Sequence, residues 1–398
     1  MFFLNISLFV TSFILLASKY IVYRDRWSAL WSNPVTSMYV GCFPMGGTTL
    51  INVAVEVIHS KYGIGGKGFL YFIWTMWWLD IVISFLCCWV GVHCMCEVFQ
   101  VCGACSCSQA VDRFTNQKHS IEAMNATWLL PVVTLIVAAS CGGVVAGSLM
   151  EYSQSHALKT VIVSVFMVTV GLCLALMILT IYMLRLIVYG LPSGPPILSV
   201  FLPLGPTGQA GYAVLLIGQN LHTLFPPLLD SAGFPLKQHT SAGIIVDVVC
   251  TCISFVLWSI ATMWILYAFL ALYSGLRKVL IPFKISFWGL VFPNVGNHPI
   301  LWLVKYSNLV IFFFQAVYAN LTIQISNAFD SRAFRVWGAL YAAATLVLWL
   351  SIFSRSVWEL RTFFIVARRS DSTFKDKYGV AQELQTNGST DISVTETV

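Results

Sequence analysis

The sequence predicts an all-α integral membrane protein with two layers of helices, and three observations carry that expectation. Hydrophobic residues make up 58% of the 398 and charged residues only 10%, against roughly 25% charged in soluble domains. Nine apolar stretches are each near or above the ~20 residues that cross a bilayer. They cover approximately residues 2–23, 37–58, 69–98, 127–150, 159–189, 196–224, 243–274, 285–325 and 333–366. Proline then falls on alternate stretches: Pro44 on the second, Pro131 on the fourth, Pro203 and Pro206 on the sixth, Pro293 on the eighth.

That alternation has a physical meaning. A proline inside a helix removes a backbone hydrogen bond at a cost of roughly 3 kcal/mol, and in lipid the freed carbonyl needs a partner or a wet cavity. The proline-bearing stretches are nearly free of charge, whereas Asp80, Arg185, Asp247 and Arg355 sit on proline-free ones. Kinked, uncharged helices are therefore expected to form an inner wall around a pathway, with straight helices outside facing lipid.

In chain order, the first stretch has no basic residue before it and no small-residue cleavage site, so it reads as a span and not a signal peptide. The second ends at Glu56 and His59, expected at the outer mouth. Gly63, Gly65 and Gly68 fit G-x-G-x-x-G, but they join two spans and not a strand to a helix, so a flexible loop is the expectation. Asp80 on the third stretch and Asp247 on the seventh each cost about 2.5–3.5 kcal/mol at membrane depth. Proton coupling and a structural hydrogen bond to a neighbouring helix both account for them.

The inner candidates supply Thr48, Asn52, Thr134, Gln209 and Asn294 as polar groups for the pathway, beside small and hydroxyl residues such as Ser140, Gly142 and Gly143. Small residues also serve plain helix packing. Of the twelve cysteines, Cys102 and Cys105 form a C-x-x-C near a cluster with Cys94, Cys96 and Cys107. Unpaired thiols are favoured there over a zinc site. No catalytic constellation survives placement on opposite membrane faces, so no enzyme, cofactor, metal or nucleic-acid role is expected. The domain plan is one transmembrane domain over 1–366 and a polar, disordered cytoplasmic tail over 367–398.

Several motifs together resemble the tellurite-resistance/dicarboxylate transporter family, the slow-anion-channel-like group, and within it the fungal sulfite-efflux branch. They are NPVTSMYVGCFPMGGTTLIN at 33–52, the loop and helix over 113–147, LPLGPTGQAG at 202–211, FWGLVFPN at 287–294 and NAFDSRAFRVWG at 327–338. The resemblance implies ten transmembrane helices in five hairpins around a central pore, a homotrimer in the plasma membrane, and export of sulfite or hydrogen sulfite. A C4-dicarboxylate such as malate, or an anion channel, is the alternative; a non-transporting truncated product is another. It also implies a pore-gating phenylalanine, matched by Phe292 in VFPN.

The chain departs from that pattern in places. Met1 falls where the family's second helix begins, so a leading helix is expected to be missing. Residues 296–315 interrupt a direct FPN–VYANLTIQ join. Their codons permit a splice donor at Gly296-Asn297, a branch site at Ser307-Asn308 and an acceptor ending at Gln315, as in a retained intron. A genuine extra span is the alternative, but it puts the basic tail outside.

Lysine and arginine settle the expected orientation. With the tail cytoplasmic, Arg24, Arg26, Arg113, Lys118, Arg185, Arg277, Lys278 and Lys284 share its side, as the positive-inside rule requires. Cysteine-accessibility labelling checks this: Ser372→Cys in a Cys-depleted chain is expected to be protected in intact cells. Labelling from outside overturns the topology.

Overall fold

The computed structural model describes residues 2–22, 38–96, 121–122, 124–192, 195–231, 236–278 and 310–347, together with 350, 351, 354, 358 and 361. Among them every regular element is helical. The chain divides into two units, 1–346 and 347–398. In the second, the described residues are helical and the Ser351 hydroxyl donates to the Val347 carbonyl at 2.8 Å.

The first unit holds α1 (Phe2–Val22), α2 (Cys42–Val53), α3 (Gly66–Cys96), α4 (Leu130–Leu149), α5 (Gln154–Tyr189), α6 (Leu204–Ser231), α7 (Leu236–Lys278) and α8 (Val310–Ala328). A further helix, α9, runs over residues 332–346. Among the described residues, six helices are long and apolar enough to cross a membrane: Tyr39–Lys61, Gly66–His93, Ala126–Leu149, Gln154–Tyr189, Ser199–Pro226 and Ala242–Ser274.

Burial alternates along these six. In the most apolar stretch of each, 56%, 94% and 89% of the first, third and fifth is buried, against 28%, 33% and 17% of the second, fourth and sixth. The proline-bearing helices are thus inside. The outer helices α3, α5 and α7 expose Leu79, Leu86, Phe166, Met177, Val256 and Leu266. Contiguous apolar surface of this kind suits lipid, not water.

Each buried helix begins with a 3-10 turn: Tyr39–Gly41 before α2, Ala126–Leu129 before α4, and Pro195–Phe201 before α6. The prolines sit at those junctions, which corrects the expectation of mid-helix kinks. Pro131 is in the first turn of α4, Pro44 and Pro206 are the third residues of α2 and α6, and Pro203 lies in the turn before α6. In a first turn the missing N–H has no intrahelical partner to lose and the ring favours the helical φ. The irregularity of α2 lies instead at its other end, where Ala54–Lys61 winds as a π-helix.

Helix α4 is the hub. Its sequence is apolar on all sides, and it packs against α2, α3, α5 and α6. A ring closes through α2, α4, α6 and α8, with α8 returning to α2. Small residues set the spacing. A Cβ on Gly142 would stand 2.1 Å from Ser164 Oγ of α5 and 2.6 Å from Trp77 Cζ2 of α3. Trp77 is fully buried there and donates from Nε1 to the Ala138 carbonyl at 3.0 Å.

The helix ends are satisfied locally. The Asn125 side chain accepts from Thr127 N at 2.9 Å, and Ser153 Oγ accepts from His156 N at 3.4 Å. Buried Arg185, near the C-terminus of α5, donates to the Glu122 carbonyl from Nε at 3.3 Å and Nη2 at 3.1 Å. Its Nη1 donates to the Gly190 carbonyl at 2.6 Å. A cation at that helix end also meets the negative pole of the dipole. Gly63 and Gly65, at φ of 64° and 95°, turn the chain between the π-helix and α3, which is the loop expected of that glycine motif.

Gly142→Ala is expected to lower the stability of the detergent-solubilised protein by about 1–3 kcal/mol, the usual cost of overpacking. A thermal melt checks it, with Gly68→Ala as control, since nothing lies within 4 Å of a Cβ there.

Candidate functional site

The ring carries polar side chains in an otherwise apolar wall. From α2 come Thr48, fully buried, and Asn52, 7% exposed. From α4 come Thr134 and Ser140, and from α6 Gln209, all fully buried. Tyr212, one turn after Gln209, lies near Asn320 of α8. Glu56, one turn after Asn52, lies within electrostatic reach of Cys141 on α4 and Tyr212 on α6. Its side chain is exposed. All four ring helices contribute to this polar belt.

Most of its hydroxyls are spent on their own helices. Thr134 Oγ1 donates to the Pro131 carbonyl at 2.6 Å and lies 3.1 Å from the Ser84 carbonyl, and Thr207 donates to the Pro203 carbonyl at 3.0 Å. Ser140 Oγ donates to the Val137 carbonyl at 2.8 Å and in turn accepts from Gln209 Nε2. In that pairing the amide nitrogen faces Ser140, and Gln209 Oε1 is left buried without a partner, as is Asn52 Oδ1. Such groups ordinarily carry a hydrogen bond, and leaving one unmade costs about 1–3 kcal/mol. Neither is wasted if the ring admits something able to donate to them.

The two intramembrane aspartates lie at seams between an outer and an inner helix, Asp80 meeting the belt at Thr48. A Cβ on Gly47 of α2 would stand 3.3 Å from Asp80 Oδ1, and a Cβ on Gly218 of α6 would stand 3.3 Å from Asp247 Oδ1. Asp80 is 6% exposed, and its Oδ2 accepts from Thr48 Oγ1 at 2.8 Å, the hydroxyl also lying 2.8 Å from the Pro44 carbonyl. Asp247 is half-buried. Each glycine leaves room for a carboxylate to lie against the inner helix, a geometry that favours a packing role over a pathway one.

Phe292, Pro293 and Asn294 lie outside the described residues, as do Cys102, Cys105 and Cys107. Glu56, Tyr212 and Asn320 were not singled out as pathway residues by the sequence. The spacings Asn52–Glu56 and Gln209–Tyr212, each about one helical turn, were the available signal for two of them. Asn320 had none, because its partner lies on a distant helix.

A buried, uncharged helix ring inside a lipid-suited shell is a transport architecture, and the comparisons decide which one. Residues 1–298 match the voltage-dependent anion channel family model. The chain belongs to that family. This family moves anions across membranes, so the protein is a membrane protein of the transporter and channel class. It is similar to the sulfite efflux pump of Arthroderma benhamiae, 28% identical over 359 residues, which are 90% of this chain and 81% of the relative. The sulfite efflux pump of Candida albicans is 26% identical over 332 residues, 76% of this chain and 61% of that protein. The malic acid transport protein of Schizosaccharomyces pombe is 19% identical over 334 residues, 83% and 64% respectively. No solved structure matches the chain significantly.

The seam geometry makes a discriminating expectation for Asp80. Asp80→Asn keeps a polar partner for Thr48 and is expected to retain stability and the wild-type pH response of transport. Asp80→Leu is expected to lose about 1–3 kcal/mol in a detergent melt. A flattened pH response in Asp80→Asn would assign the carboxyl to proton coupling instead.

Proposed function

We propose that this chain exports a small anion, sulfite or hydrogen sulfite, across the plasma membrane. The observation that carries the reading is the buried ring of α2, α4, α6 and α8 with its polar belt. It occurs in a chain of the anion channel family that aligns over 90% of its length with a sulfite efflux pump. A pathway with no Lys or Arg on α2, α4, α6 or α8 selects by size and by hydrogen bonds, not by fixed counter-charge. Malate is the second reading, supported by the malic acid transport protein among the relatives.

The complete assembly in this proposal has ten helices in five hairpins and three copies of the chain, each with its own pore. Phe292 plugs the pathway beside Pro293 and Asn294. A neutral ring excludes water, offers an anion nothing in return, and swings aside by a side-chain rotation. Transmembrane residues run to 366 and the tail from 367 is cytoplasmic. Residues 296–315 are an insert: the family match ends at 298, yet Tyr318–Ser326 of α8 pack in the ring beyond it.

Sulfite efflux from proteoliposomes tests the function, and sulfite tolerance of expressing cells tests it in vivo. Phe292→Ala is expected to raise anion leak several-fold over wild type, with Phe292→Leu between them. A chain lacking 296–315 is expected to export faster than the full chain. Equal rates in all four overturn both assignments.

A further inference from the structure

We propose that the pathway takes its cargo as the protonated monoanion, hydrogen sulfite, and that Glu56 at its mouth turns away the dianion. This deepens, and rests on, the reading of sulfite as cargo. Three acceptors stand on two of the ring's helices. Gln209 Oε1 is fully buried and unpartnered, with Nε2 of the same amide donating to Ser140 Oγ. Asn52 Oδ1 is unpartnered on a residue 7% exposed. The Glu56 carboxylate stands one turn further along the same helix, in reach of Tyr212 and Cys141. The buried side-chain atoms of α2, α4, α6 and α8 that lack a partner are thus oxygens with lone pairs, and they ask for a donor. Hydrogen sulfite in its hydroxyl form has one proton to give; the dianion has none.

Charge points the same way. No cation among the described residues is paired with Glu56, and α4 and α8 carry no charged residue at all. Repulsion from a fixed carboxylate doubles for a doubly charged anion, and between low-dielectric walls it is strengthened further. The titratable groups facing Glu56 are few. They are Cys141 from α4 and Tyr212 from α6, with His59 on its own element, whose ring lies 5.9 Å from that of Tyr152. Lys61 closes the π-helix and is exposed. On α3, Lys67 stands over the Tyr71 ring at 5.7 Å and is exposed.

The test is efflux from proteoliposomes holding the full chain, at fixed total sulfite and equal pH on both sides. The pH is stepped through the second ionisation of sulfurous acid, and the rate from protein-free vesicles is subtracted. Nitrate, a monoanion that does not titrate in this range, is run in parallel. The wild-type sulfite rate is expected to fall with the hydrogen sulfite fraction while nitrate flux stays level. In Glu56→Gln the ratio of alkaline to acidic sulfite rate is expected to rise several-fold. Wild-type flux that follows total sulfite or the dianion overturns the proposal, as does nitrate flux that falls in step with sulfite. An unchanged ratio in a folded Glu56→Gln chain removes Glu56 from it. Should that variant not fold, the wild-type comparison of sulfite with nitrate decides alone. Absence of sulfite flux at every pH, with nitrate moving, removes sulfite as cargo and both readings with it.

Discussion

Helix α4 is surrounded by protein on every side, and much of the architecture follows from what that forbids. A helix between four neighbours has room for neither long side chains nor unsatisfied ones. Its central stretch is accordingly Ala138, Ala139, Ser140, Cys141, Gly142 and Gly143. The missing side chain at Gly142 lets Trp77 of α3 and Ser164 of α5 reach the backbone at one level. Its hydroxyls fold back on their own carbonyls. In a bilayer there is little hydrophobic drive between helices, so close van der Waals approach supplies the cohesion. The outer helices can then afford long apolar side chains, since lipid imposes no shape on them.

The same constraint sorts the polar groups. Where a polar side chain has a neighbour within reach it is consumed: Asn220 Nδ2 donates to the Gly143 carbonyl at 2.8 Å, and Ser254 Oγ to the Gly211 carbonyl at 2.9 Å. These bonds tie helix to helix. Asp80 belongs with them through Thr48, and both Asp80 and Asp247 are lodged against a glycine of the inner helix each packs on. The groups left over, on Asn52 and Gln209, lie on ring helices. Unpartnered buried groups also occur off the ring, at Ser84, Tyr182 and Ser199.

Much of this was legible in the sequence, and the failures have physical causes. The alternation of prolines marked α2, α4 and α6 as the uncharged, buried helices, because only a buried helix can do without both charge and bulk. The prolines were expected inside the spans, and they lie at helix starts. The apolar run over Ala126–Leu129 is continuous with α4, so composition could not reveal that the first turn is 3-10 and that Pro131 begins the α-helix proper. Asp80 was recognised as costly, but its role needed Gly47, which is 33 positions away in sequence and on another helix. Glu56 was placed at the mouth by its position near the end of a span. Its electrostatic reach to Tyr212 and Cys141 depends on the packing of three helices, which no single-sequence pattern pairs.

An anion pathway whose free groups are acceptors looks inverted, since anions are ordinarily held by donors. The resolution lies in what such a site must accomplish. A channel that bound its anion tightly would retain it, and conduction requires binding weak enough to release. Two donors on this ring are occupied, Gln209 Nε2 on Ser140 and Thr134 on the Pro131 carbonyl. The two unpartnered amide oxygens accept a hydrogen bond from the cargo and offer its negative charge nothing. The interaction is then a single hydrogen bond per acceptor, worth about 0.5–1.5 kcal/mol net, not the stronger charge-assisted bond that an arginine would form. A site of that strength recognises a protonated oxyanion by its donor while leaving it free to move on.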